Sequence, residues 1–337
     1  MESPEDGSYN PYSLCRILAS ILHPIGIASC IIILGVLFAM LVVDYKLVHR
    51  TTTRYVVGIT VANLLAIATD FAATSNPQLP GSLSCQVLII ARAFTYFFQP
   101  LVNLSMTNHL YRTHINHHLT TPIYEIIAWA LMIFLIGIFM IIMYCIGLFN
   151  LYKYSHVCNP TSNSLEVNRL LAGILLFINL MCMIYALSCF IFGTMSLNRR
   201  RHTARYSFEA DKREIHGYTI KMRQIAKRLF YYPLVTVVSL CGQCCILGMI
   251  LSGRFVEDLF PLKSITIGLS GVLTLIVFFR DPTTKITLKI FIYEVKNRLT
   301  VRKLQRLSRD SEYNLSMNSI WDMKRVHQSI LQILKLM

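Results

Sequence analysis

IIAWALMIFLIGIFMIIMYCIG, residues 126–147, runs for 22 residues without a charged side chain. At 1.5 Å per residue such a helix is about 33 Å long, enough to cross the ~30 Å hydrocarbon core of a bilayer. A helix also satisfies its own backbone hydrogen bonds, which lipid requires of any lone spanning segment. Six further stretches are of spanning length, at 17–43, 55–75, 85–111, 169–195, 229–251 and 262–279. The last is the shortest and suffices if it continues into the polar sequence beside it. Composition agrees: 54% of the 337 residues are hydrophobic and 15% charged, against about a quarter charged in soluble domains. The expected fold is an all-α membrane protein, a seven-transmembrane helix bundle over 17–279. An extracellular segment, 1–16, precedes it; an amphipathic juxtamembrane helix, 280–299, and a cytoplasmic tail, 300–337, follow.

Lys and Arg give the orientation, because positive residues stay on the cytoplasmic side. Segments 44–54, 112–125, 196–228 and 280–337 hold 26 of the 32 basic residues; the opposite set with its flanks holds five. The amino terminus is therefore expected outside and the carboxyl terminus inside, in agreement with seven crossings. The opening MESPEDGSYNPYSLCR is acidic and polar, unlike a cleavable signal peptide, so the first span is expected to direct insertion.

The net charge of +15 belongs to this topology rather than to nucleic-acid binding, since the cations lie between apolar runs. A transporter is disfavoured because the halves show no repeat and no matching pair of Gly/Pro-broken segments. A pore would need a filter loop or a ring of like charges, and only Asp70 and Arg92 lie well inside the expected spans. No lysine stands mid-way in the last span, as a retinal protein would need; Lys263 is at its edge. HExxH, GxSxG and P-loop motifs are absent, so neither an enzyme nor a cofactor is expected. His114, His117 and His118 read as a solvated loop. Cys241 and Cys244 form a CxxC on an apolar helix, which reads as two packing residues one turn apart.

The third span carries Arg92, Gln99, Asn103 and Asn108, costly against lipid, so it is expected at the centre of the bundle. Arg92 lies two turns, about 10 Å, below Cys85. An intramembrane Arg costs at least ~2.5 kcal/mol unless paired. Two readings stay open. In one, Arg92 pairs structurally with Asp70 of the second span. In the other, it meets an anionic ligand, helped by Arg169 or Lys263, with Tyr96 and Gln99 lining the same pocket. The outer segments are short and Asn159 precedes Pro160, leaving no usable sequon there, so a ligand is expected to enter the bundle or dock on short loops.

On the basic side, 196–228 carries ten Lys and Arg. It anchors topology near anionic lipid, and 212–228 is expected to extend the sixth helix with Lys221, Arg223, Lys227 and Arg228. After a break at Pro282, Thr283 or Thr284 is expected to cap a basic helix on the membrane surface. There Ile286, Ile290, Tyr293 and Val295 alternate with Lys285, Lys289 and Lys296. Met323, Val326, Ile330, Ile333 and Met337 share one face of a final amphipathic helix, which suits membrane or self-packing.

KMRQIAKRLFYYPLV, 221–235, resembles the start of the sixth helix in fungal carbon-sensing receptors and slime-mould cAMP receptors, with Pro233 carrying the match. GLSGVLTLIVFFRDPTT, 268–284, is similar to the end of their seventh helix. With Cys85, Trp129 and Cys158 the resemblance extends loosely over all seven spans. It implies a cAMP-receptor-like G-protein-coupled receptor of the plasma membrane, plausibly fungal, which senses a small extracellular ligand and acts through a heterotrimeric G protein on cAMP signalling. Arg112, Lys221, Arg223, Lys227 and Arg228 would then couple to Gα, and 280–299 would be the eighth helix. The resemblance also implies a Cys85–Cys158 disulfide; the alternative is two free thiols, and Cys15 is expected free. A homodimer is a further arrangement the sequence permits.

Rhodopsin-like features are missing: LYR at 110–112 lacks the acidic partner of an ionic lock, and no NPxxY ends the last span. Pro233 sits near the cytoplasmic end of the sixth span, where a lost backbone hydrogen bond makes it either a hinge or a fixed kink. The competing functions are a seven-helix transporter or channel and a fungal pheromone receptor.

Overall fold

A computed structural model describes residues 11–43, 45, 51–75, 82–114, 122–149, 164–206, 231–252 and 260–310. These form eight helices: α1 Pro11–Val43, α2 Thr51–Ser75, α3 Leu83–His114, α4 Pro122–Cys145, α5 Leu165–Tyr206, α6 Tyr231–Ser252, α7 Phe260–Arg280 and α8 Pro282–Asp310. The first seven are long and apolar enough to cross a membrane. The protein is a multi-pass membrane protein built as a seven-helix bundle. The chain divides into two compact units, Met1–Thr287 and Leu288–Met337.

Polarity along each helix decides its place. In the bundle α3 packs against α2, α4, α5 and α6, while α1 closes the ring by packing on α2 and α7. The polar residues of α3 explain this: its apolar window is the most buried of the seven at 56%, and that of α4 the least at 17%. The α4 surface exposes Ile126, Ile127, Leu131, Ile133, Phe134 and Ile141, side chains that cost nothing against lipid. Apolar surface gives helices no reason to associate in lipid, so polar contacts and close backbone approach specify the packing. Glycines supply the approach between α1 and α7, where a Cβ on Gly26 would lie 2.6 Å from the Gly268 carbonyl oxygen.

Several helix ends differ from expectation. α4 begins four residues early, bringing Glu125 into its first turn. It stops at Cys145 because Gly147 takes φ 75°, with Gly147 N–H bonded to Tyr144 O and Leu148 N–H to Met143 O. That is a Schellman stop, completed by burial of Leu148 and Met143. The cap of α8 is Asp281 rather than Thr283 or Thr284. Pro282 lacks an N–H and so suits the first helical position, Lys285 N–H bonds to Asp281 O, and Thr284 Oγ1 donates to Asp281 Oδ2 (3.2 Å). The helix then runs to Asp310, past the expected 299. In the second unit, exposed Ile290, Ile292 and Leu299 stand among exposed Lys289, Lys296 and Arg298. α5 likewise continues as helix to Tyr206, into the segment expected to be loop.

Candidate functional site

Asp70 on α2 is buried with both neighbours of its carboxylate cationic. Oδ1 accepts from Arg92 Nη2 of α3 at 2.9 Å and from Lys263 Nζ of α7 at 3.1 Å. Oδ2 stands 3.6 Å from Nε2 of His23 on α1. The His23 side chain is fully buried and neither ring nitrogen completes a hydrogen bond by distance and angle. Tyr96 stands one turn along α3 from Arg92, and Lys263 Nζ lies 5.6 Å from its ring centre. Burial makes such charges costly unless each has a partner. Here Asp70 serves two cations, so α2, α3 and α7 are tied through one carboxylate, with His23 of α1 beside it. A narrow cavity opens on this cluster, lined by Thr69, Arg92, Thr95, Tyr96, Gln99 and Gln243 among others.

A second polar layer lies two turns on. Gln99 Nε2 donates to Asn63 Oδ1 (2.9 Å), and Asn63 Nδ2 donates to Thr274 Oγ1 (3.0 Å). Gln99 is seven residues beyond Arg92, and Asn63 seven before Asp70, so α2 and α3 hold one antiparallel register through both layers. Pro100, inside α3, offers no N–H to the Tyr96 carbonyl, which loses its helical partner beside the cavity.

The Arg112 end of the bundle is built differently. Arg54 of α2 grips buried Glu125 of α4 with two donors, Nε to Oε1 at 2.6 Å and Nη2 to Oε2. Asn108 links Tyr124 (2.6 Å) to Tyr185 (3.2 Å), which joins α3, α4 and α5. Arg112 is exposed and lies over the Tyr124 ring, 4.0 Å from its centre. Tyr55 stacks against both His109 and Trp129, with centroids 5.1 and 5.6 Å away.

Of the residues read from sequence, Asp70, Arg92, Tyr96, Gln99 and Lys263 thus converge. Lys263 is not confined to the edge of its span; its side chain is 14% exposed and reaches inward. Arg169 stands apart, near Glu166 of its own helix at 3.9 Å. Contacts of Cys182 with Pro100 and of Cys189 with Thr107 share an 82-residue offset, which sets Arg169 level with Val87. That is about 7.5 Å nearer the Cys85 end than Arg92. Cys85 is disulfide-bonded; Cys158 lies outside the described residues, as does the side chain of Cys15. Lys221, Arg223, Lys227, Arg228 and the final amphipathic segment also lie outside them. Pro233 is buried in the first described turn of α6, and the stretch before it, where a hinge would act, lies outside the described residues. Cys241 and Cys244 are free thiols, the latter against Met183. Among the described residues no three His, Cys, Asp or Glu side chains are placed to hold a metal ion.

His23, Asn63, Thr274, Glu125 and Asn179 went unread. Asn179 of α5 is fully buried with both amide atoms unpartnered, and the same offset places it level with Phe97. The signal for each was a lone polar residue at the edge of, or within, an apolar run. No protein-family model matches this chain, and no curated protein matches it.

Proposed function

We propose that this protein is a G-protein-coupled receptor for a small extracellular ligand, resembling the cAMP receptors and fungal carbon-sensing receptors. The reading rests first on the Asp70–Arg92–Lys263 cluster and the cavity beside it. Three helices bring charge together two turns below Cys85, at the depth where a ligand entering from the Cys85 end would stop. The basic residues put that end outside, and the disulfide of Cys85 supports an oxidising face there. The opposite end then faces the cytoplasm, where Arg112, the extension of α5 and the 221–228 segment would meet Gα on a cAMP pathway. Cys158 is the proposed partner of Cys85, and Pro233 the proposed hinge of α6.

The test is agonist-dependent nucleotide exchange on a co-expressed Gα, found by a ligand screen that reads cAMP in the host cell. Exchange that rises with a ligand and disappears in the Arg92→Ala protein at equal surface abundance is expected. Substrate flux or current in proteoliposomes without any exchange would overturn the receptor reading in favour of a transporter or channel.

A further inference from the structure

The α8 helix leaves the last span through a single residue, Asp281, so its first turn starts where that span ends. Further along, within the second unit, positions 289, 292, 293, 296 and 299 are spaced as i, i+3, i+4, i+7 and i+10. At 3.6 residues per turn they fall within an arc of about 120°. The residues are Lys289, Ile292, Tyr293, Lys296 and Leu299, and all five side chains are exposed. Val295, which the sequence suggested for the apolar side, is half-buried and stands about 100° from Lys296. Ile290 and Val301, also exposed, lie beyond one edge of the arc.

Charge on this helix is one-sided. Glu294 is the one acidic residue between 282 and 309. It lies opposite the arc, with Oε1 3.7 Å from Arg298 Nε. Lys289 and Lys296 have no acidic partner among the described residues. The same helix goes on through Arg302, Lys303, Arg306 and Arg309. A soluble polyanion would match the lysines and leave Ile292, Tyr293 and Leu299 in water. An apolar groove would do the reverse. Negative head groups above hydrocarbon meet both needs at once, since lysine stems lie along apolar surface while their ammonium groups stay with the phosphates. Tyrosine, with an apolar ring and a polar tip, suits that same boundary.

We propose that this face of α8 is a docking surface for anionic phospholipid, which the two lysines recognise while Ile292, Tyr293 and Leu299 enter the head-group layer. The inference goes beyond the receptor reading and does not depend on it. Docking of α8 then varies with the charge of the leaflet it meets, and a neutral bilayer holds it only through its apolar side chains.

The experiment uses the full-length protein in nanodiscs of phosphatidylcholine alone and of equal parts phosphatidylcholine and phosphatidylserine. Amide hydrogen exchange is followed across 288–301, with the buried amides of α3 as an internal reference for an intact bundle. Each lysine near an anionic surface contributes about fivefold, so exchange is expected to slow by up to about 25-fold in the phosphatidylserine discs. High salt should remove that difference. Lys289→Gln combined with Lys296→Gln changes two exposed positions, leaves the α3 reference unchanged, and should also abolish it. Equal exchange in the two lipids, or slowing that survives the double substitution, would overturn the proposal. Soluble polyglutamate that slows 288–301 in neutral discs as strongly as phosphatidylserine does would also overturn it, and would assign the face to an acidic partner in solution.

Discussion

A methyl group added at Gly271 would stand 2.5 Å from the carbonyl oxygen of Gly26, 3.0 Å from its carbon and 3.1 Å from Cys30 Sγ. Ordinary contacts of a Cβ begin near 3.4 Å, so Gly271→Ala forces α1 and α7 apart by roughly 0.9 Å. The obstacle is backbone, which has no rotamer to escape into. A gap of ~0.5–1 Å forfeits a quarter to a half of each dispersion contact along the seam, and overpacking of this kind costs about 1–3 kcal/mol. Better helix propensity returns at most ~1 kcal/mol. Net destabilisation of about 1–2 kcal/mol is expected. Gly35 on α1 is the control, because nothing lies within 4 Å of a Cβ there. Gly35→Ala carries only the propensity term and should be neutral or slightly stabilising. Thermal unfolding of both purified variants in one detergent, beside the parent protein, measures the difference. A Gly271→Ala protein that melts at or above Gly35→Ala would refute the close α1–α7 contact and the role assigned to glycine in it.

Arg54→Ala leaves the Glu125 carboxylate buried without its bidentate partner. Loss of about 2–3 kcal/mol is expected, below the ~3–5 kcal/mol of a fully buried pair because the Arg54 side chain is 33% exposed. Adding Glu125→Gln should recover part of it, and a double-mutant cycle in thermal unfolding that found no coupling would contradict the contact. Asn179→Leu replaces two unpartnered amide atoms with methyl groups on the same branched skeleton. It should stabilise the protein by about 1–3 kcal/mol, read as a higher unfolding temperature; a lower one would mean that the amide has a partner in the folded protein.

The length of each apolar run was sufficient to count the helices, because bilayer thickness fixes that length independently of packing. The central place of α3 was legible for a related reason: Arg92, Gln99 and Asn103 cannot face lipid cheaply, and all three are buried. Burial alone, however, does not name a partner. Asp70 and Arg92 were placed at compatible depths, and the structure pairs them at 2.9 Å. That Lys263 would reach the same oxygen, and that His23 would stand behind it, depended on the rotation of α7 and α1. Lipid and neighbouring helices both accept apolar side chains, so the apolar sequence of these helices carries little record of that rotation. Glu125 was hidden by a boundary, since a carboxylate four residues before an uncharged run reads as loop until α4 is seen to begin at Pro122. The end of α4 was missed for a converse reason. Ile146 and Gly147 continue the apolar run, whereas the backbone turns out of the helix at Gly147, which takes positive φ.

These two kinds of contact divide the bundle in a way that bears on how a ligand would act. Between α1 and α7 the backbones touch through Gly26, Gly268 and Gly271, and such a contact has one good geometry, because any added separation loses it. Between α2, α3 and α7 the ties are polar, with Asp70 shared between two donors and Asn63 bridging Gln99 to Thr274. Polar ties can exchange partners at small cost when a competing group arrives, whereas packed glycines cannot. A ligand entering beside Arg92 therefore meets the exchangeable side of α7, while the glycine seam holds its other side to α1. Seven residues below, the Gln99–Asn63–Thr274 layer is the next connection that a rotation of α3 against α2 would have to break. Under the proposed receptor reading, the Asp70 layer would yield first and the Asn63 layer second, before the Asn108–Tyr124–Tyr185 contacts at the far end.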